Sequence, residues 1–162
     1  MNLVAFDPGP TTCGYCIVRL DAARATFITG GLATTRERLA ELSREVDAMA
    51  IEVVRGPIFT PQRGPAIIAT SRTAGFLECL ARDRRMHLVE RTAREVRLSL
   101  CGRGNASDGQ VADAVRGNVF GFPAKSNVHI RDAAALAVVA AWEIAGCIGE
   151  RVPQPRRRRL PA

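Results

Sequence analysis

Four side chains have the types and positions to do phosphoryl chemistry together: Asp7, Glu52, His129 and Asp132. Asp7 closes the apolar run Leu3-Val4-Ala5-Phe6, and Glu52 interrupts a second run, Ala48 to Val54. Asp132 opens a long apolar stretch, with His129 three residues before it. A carboxylate in apolar surroundings is costly unless it is paired or binds a cation. Several in one cleft repel, and a divalent ion removes that cost. Oxygen ligands select Mg²⁺ or Mn²⁺ rather than zinc. Two such ions about 4 Å apart clamp the attacking and leaving oxygens of a phosphodiester. A histidine beside them can bind a metal or move a proton. Each residue also has a plainer reading: Asp7 as a turn acceptor, Asp132 as a helix-start carboxylate, His129 as a loop histidine. Glu52 resists one, because Glu is seldom fully buried without a partner.

The elements that must position these groups follow from periodicity and turn residues. Residues 3–6 and 13–20 read as strands around the Pro8-Gly9-Pro10 turn, and 25–29 as a third that Gly30-Gly31 ends. Strands joined so closely form an antiparallel meander. Thr34 and Glu37 read as the start of a helix over 36–47. A strand over 48–54 carries Glu52, and a loop with three Gly/Pro breaks surrounds Phe59. A long helix over 65–85 presents Ile67, Ile68, Phe76, Leu77 and Leu80 to the core, and a short strand follows at 86–89. Thr92 and Glu95 open the next helix. After the turn Cys101 to Ser107, Ser107 or Asp108 caps a helix carrying Val111, Val115 and Val119. Residues 120–127 read as a loop and 130–148 as a nearly all-apolar helix that must pack on a sheet. The fold class is α/β, a mixed five-stranded sheet with helices on both faces. Sequential connections place the strands of Asp7 and Glu52 side by side, and the spacing of His129 and Asp132 puts both on one helix face.

The chain has 162 residues and a formal charge of +7, from 23 Lys+Arg against 16 Asp+Glu. Nearly all the positive charge is Arg, whose fork can bond two phosphate oxygens, and a high pI is a footprint of nucleic-acid binding. No apolar run is long enough to span a bilayer, and the N-terminus shows no secretory pattern, so a cytoplasmic location is expected. Five cysteines, an odd number, argue against a disulfide framework. Cys13-Gly14-Tyr15-Cys16 lies in a strand pattern, so these cysteines read as apolar fillers. Residues 1–150 form one domain. Residues 151–162 are a Pro/Arg-rich tail, expected to be disordered when free, and its run Arg156 to Arg159 is expected to add non-specific DNA affinity.

In this arrangement the chain resembles the RuvC-type Holliday-junction resolvases, of the ribonuclease H-like fold. The resemblance covers residues 2–142. It is carried by Phe6-Asp7-Pro8-Gly9 with Thr11 and Gly14; Ala50-Ile51-Glu52; Ala93-Arg94-Glu95-Val96-Arg97; Gly102 to Ser107 with Gln110-Val111; and His129-Ile130-Arg131-Asp132-Ala133-Ala134. It implies a homodimer that makes symmetric nicks in a four-way DNA junction with Mg²⁺ or Mn²⁺, two ions per site, and branch-migration machinery as a partner. It implies Asp7, Glu52, His129 and Asp132 as metal ligands and catalytic residues, and places Arg97 near the scissile phosphate. A second register would pair Asp132 with Ala135; the His129 register fills both positions. Where the family usually has Lys, this chain has Asp108, so Arg103 or Arg116 is expected to make that phosphate contact. Arg63 and Arg72 are further DNA-binding candidates, and Phe59 a base-stacking wedge. The helix over 65–85 is the expected dimer interface. Two other readings keep the same fold: a branched-DNA-binding protein without catalysis, and a related nuclease acting on RNA.

Overall fold

In the computed structural model, which describes residues 1–21, 24–55 and 64–147, the first strand lies at the centre of the sheet. Strand β1 (Asn2–Pro8) is buried on both faces because its apolar run leaves no polar side for water. It pairs antiparallel with β2 (Cys13–Asp21), which pairs antiparallel with β3 (Arg24–Ala33). On its other side β1 pairs parallel with β4 (Ala48–Glu52), and β4 parallel with β5 (His87–Arg91). The expected meander and mixed sheet are both present.

A sixth strand, β6 (Val119–Phe120), pairs parallel with β3, giving the order β5-β4-β1-β2-β3-β6. Two residues carry no readable alternation, so this stretch gave only a helix end and a loop. Strand β3 also runs through Gly30-Gly31 to Ala33 instead of ending there. A side chain at Gly30 would lie 2.8 Å from Ile130, and one at Gly31 2.9 Å from the Tyr15 hydroxyl. These glycines admit neighbours rather than break the strand.

The alternation of β1 and β4 divides the core. Val4, Phe6, Met49 and Ile51 face α1 (Arg36–Leu42) and α2 (Gly64–Asp83). Leu3, Ala5, Ala48 and Ala50 face α3 (Ala93–Cys101), α4 (Asp108–Asn118) and α5 (Val128–Cys147). On α5, residues 133–140 are all buried, as the apolar sequence requires. No helix among the described residues is long and apolar enough to cross a membrane.

Helix ends follow their capping chemistry. Thr92 and Ser107 each form a complete capping box, with Glu95 and Gln110. Gly102 ends α3 with φ 75°, a left-handed turn that glycine adopts without steric cost. Thr35, not Thr34, caps α1, accepting from the Arg38 amide at 3.2 Å. That helix stops at Leu42, short of 47, where the buried Ser43 hydroxyl donates to the Leu39 carbonyl. On α2 only Leu77 and Ala81 are buried; Ile68, expected in the core, is 45% exposed because the first half of the helix overhangs the sheet. Buried Cys13 and Cys16 have thiols pushed up to about 12 by desolvation, which keeps them inert fillers.

Candidate active site

The ladder between β1 and β4 ends with Phe6 opposite Ile51. Asp7 and Glu52 are therefore the next residue on each of two adjacent parallel strands. Alternation turns both toward the face that carries α5. Two carboxylates are thereby set side by side at one sheet edge by strand register alone.

The first turn of α5 completes the group. Asn127 caps this helix, its side-chain oxygen accepting from the His129 amide at 2.9 Å. The helix thus begins at Val128, two residues earlier than its apolar pattern indicates, and His129 and Asp132 share its opening turns. His129 Nδ1 lies 2.7 Å from Asp7 Oδ2, across 122 residues of chain. That approach depends on Gly14: a Cβ there would lie 2.5 Å from the His129 carbonyl oxygen. Gly14 stands opposite Asp7 in the β1–β2 ladder, so one glycine lets the helix settle directly over the acidic strand.

Glu52, Asp132, Arg97 and Ala135 line an open cleft whose apolar wall includes Val96 and Val111. Asp7 and His129 are not in its lining but are tied to it electrostatically. Glu52 is pushed up to about 8, first by desolvation and then by the negative charges of Asp7 and Asp132, with Arg97 opposing. Asp7 is also raised, mainly by burial, while its hydrogen bond to His129 pulls the other way. The Asp132 carboxylate is held at Oδ1 by Arg131, through Nε at 3.0 Å and Nη2 at 2.8 Å. Ala135, one turn beyond Asp132, is 1% exposed and brings no carboxylate.

The donor set matches a hard divalent cation: three carboxylates and an imidazole, with the nearby Cys13 held as a neutral thiol. Among the described residues no three such groups stand in ready-made ligating geometry. The match is therefore one of charge and donor type.

The cationic candidates separate in space. Arg97 is at the cleft, donating to the Ala106 carbonyl at 2.6 Å and to Asp108 Oδ1 at 3.0 Å. Arg103 is exposed on the α3–α4 turn. Arg116 lies two turns along α4 from Asp108 and pairs with Asp113 at 2.5 Å. Arg72 is exposed on α2, on the opposite face of the sheet from the acidic residues. Phe59, Arg63 and the tail run Arg156 to Arg159 lie outside the described residues. Arg131 joins this group unforeseen. Its signal was present: an Arg directly before a helix-start Asp, in an otherwise apolar helix, must find an anion.

Comparison with known proteins agrees with this architecture. The chain is 28% identical over 154 residues to the crossover junction endodeoxyribonuclease RuvC of Helicobacter pylori (strain Shi470), covering 89% of this chain and 98% of the relative. It is 25% identical over 149 residues to the RuvC of Pelodictyon phaeoclathratiforme, covering 85% of this chain and 78% of the relative. Its fold is similar to that of Thermus thermophilus RuvC, with a TM-score of 0.72 at 21% identity over 94% of this chain and 99% of that one. T. thermophilus RuvC in complex with a Holliday junction substrate gives the same TM-score at 22% identity, over 92% and 96%. The model of the crossover junction endodeoxyribonuclease RuvC family matches residues 3–140, and the chain belongs to that family.

Proposed function

We infer that this protein is a crossover junction endodeoxyribonuclease, a metal-dependent enzyme that resolves four-way DNA junctions by paired nicks. The observation that carries the reading is the side-by-side placement of Asp7 and Glu52 under the turn that bears His129 and Asp132. In this reading Asp7, Glu52, Asp132 and His129 hold Mg²⁺ or Mn²⁺, two ions per site. Such ions, when bound, polarise the phosphate, lower the pKa of water and neutralise the leaving 3′ oxygen.

The chain's own groups do the rest. With Nδ1 donating to Asp7, His129 keeps Nε2 available for a cation or a proton, and its side chain is 41% exposed toward solvent. Arg97 is fixed at the cleft by the Ala106 carbonyl, where it can orient a backbone phosphate. The net charge of +7 supplies the general, salt-sensitive part of DNA affinity.

Two active sites cutting symmetrically require two copies of the chain. We place the second copy against the overhanging half of α2, where Ile68 is exposed. The deciding experiment is cleavage of a labelled four-way junction with Mn²⁺, wild type beside Asp7→Asn, with duplex DNA and an RNA–DNA hybrid in parallel. Junction-selective paired nicks lost in the variant support the reading; equal cutting of the hybrid would move it to an RNA-directed nuclease. Asp132 held by Arg131, together with Ala135 in place of a further carboxylate, favours a second reading, a branched-DNA-binding protein without catalysis. Tight junction binding with no nicking would establish that one.

A further inference from the structure

Asp108 opens α4 with its side chain 60% exposed, yet it does not simply face water. Its Oδ1 accepts from Arg97 Nη2 at 3.0 Å and lies 3.4 Å from Arg131 Nη2. Both guanidinium groups belong to the candidate active site. Arg97 lines the cleft beside Glu52, and Arg131, 11% exposed, grips Asp132. Two arginines thus converge on one carboxylate oxygen at the rim, and that carboxylate stands on the first residue of an exposed helix end. Two guanidinium forks converging on one anion are the arrangement proteins use for phosphate.

We propose that Asp108 is an intramolecular stand-in for a DNA phosphate: its carboxylate occupies an anion seat between Arg97 and Arg131, and a phosphodiester oxygen takes that seat by displacing it. This deepens the proposed function and rests on it, since it supposes that the cleft receives DNA. Displacement exchanges one anion for another: a phosphate oxygen replaces the carboxylate oxygen on the two guanidinium groups, and Asp108, 60% exposed, swings into water. Arg97 keeps its bond to the Ala106 carbonyl and Arg131 its bonds to Asp132, so both stay in position when the carboxylate swings away. The seat also explains how the chain tolerates an acid here. Asp108 offsets one unit of the arginines' positive charge until DNA arrives, and so sets a threshold that weakly held duplexes must cross.

The test uses the full chain and fluorescent four-way junction and duplex DNA, with anisotropy read in EDTA from 50 to 200 mM KCl. Asp108→Asn removes the competing charge. Glu41→Gln is the matched control, because Glu41 pairs with Arg38 at 2.6 Å on α1, across the sheet. Asp108→Ser, which suits a helix start, guards against an effect peculiar to Asn. Both Asp108 variants should bind either DNA more tightly than wild type at 50 mM salt. Their salt dependence should match that of wild type, because the same phosphate fills the seat once DNA is bound and only the displacement of the carboxylate is spared. Affinities no better than that of Glu41→Gln would overturn the proposal, as would weaker binding in the Asp108 variants or a steeper salt slope in them, which would mean that the wild-type carboxylate keeps the seat against DNA. A wild type with no preference for the junction over duplex would sink the proposed function instead, and the comparison on duplex would still judge the seat.

Discussion

Glu52→Gln should make this protein more stable in alkali while abolishing its activity. Free glutamate ionises near 4.5, whereas Glu52 in the fold is pushed up to about 8. Between those values the folded state holds a proton that the unfolded chain has released. Stability from this group is therefore fully present below about 4.5 and is lost as pH rises through about 8. At ~1.4 kcal/mol per pH unit, the gap sets an upper bound of ~5 kcal/mol. Relaxation and water entry leave about half of that, so an uncharged isostere should gain roughly 2–3 kcal/mol at pH 8.5 and almost nothing at pH 4.5. For a domain of this size that is roughly 4–12 °C in Tm. Thermal melts of both proteins in EDTA at the two pH values measure the difference directly, since other acid-linked effects cancel. Adding Mn²⁺ at pH 8.5 should raise the wild-type Tm more than that of the variant, because a ligand stabilises the state that binds it. A variant as stable as wild type at pH 8.5, or a gain of equal size at both pH values, would refute the electrostatic reasoning.

Asp7→Asn should lower junction cleavage on the order of 10³-fold, ~4 kcal/mol of barrier, while junction affinity in EDTA is retained or improved; gel cleavage beside anisotropy separates the two. Gly14→Ala should destabilise the fold by about 1–3 kcal/mol in urea melts and also depress cleavage, although it changes no acid, because its Cβ must lift the His129 backbone away from Asp7. Arg85→Gly should stabilise by about 1 kcal/mol and leave cleavage alone, since Arg85 sits at φ 55° just past α2, a conformation costly for any residue with a Cβ.

Strand order on the Asp7 side was legible because the signals were strong and local. Apolar runs bounded by Gly and Pro fixed β1, β2 and β4, and short connections made neighbours of them. The two-faced core followed from strict alternation in β1 and β4. Helix ends with complete capping boxes, at Thr92 and Ser107, were legible for the same reason. What escaped was set by tertiary contact. Gly30-Gly31 has the local signature of a turn, and only the approach of Ile130 and Tyr15 makes it strand. The overhang of α2 depends on where the sheet stops, which a helical pattern does not encode. The start of α5 was hidden because the polar residues Asn127 and His129 precede the apolar run, although Asn127 is a good cap. Of the candidate site, each acidic member could be named from its awkward local setting. The signal for Arg131 lay in its place directly before a helix-start Asp, whereas the pairing of Asp108 was not legible, because an exposed Asp looks ordinary until the fold shows what it faces.

The three carboxylates meet one electrostatic problem in three ways. Asp7 leans on the imidazole of His129 through Oδ2, Asp132 on the guanidinium of Arg131 through Oδ1, and Glu52 on a proton. In the first two, one oxygen is engaged and orients the group, while the other remains open to a further partner. That is how a site keeps acidic side chains poised without collapsing them onto one another, because each anchor fixes a rotamer at the cost of only half the available lone pairs. Glu52 differs: Arg97 acts on it only through space and is outweighed by desolvation and by the charges of Asp7 and Asp132, so its charge is deferred. If the three hold a divalent ion, as the proposed function has it, Glu52 would have to give up its proton, and the ion's affinity should rise with pH toward about 8. On that reading Glu52 is the member most dependent on a cation, and Asp7 and Asp132, each anchored by its own partner, are the ones that hold the geometry.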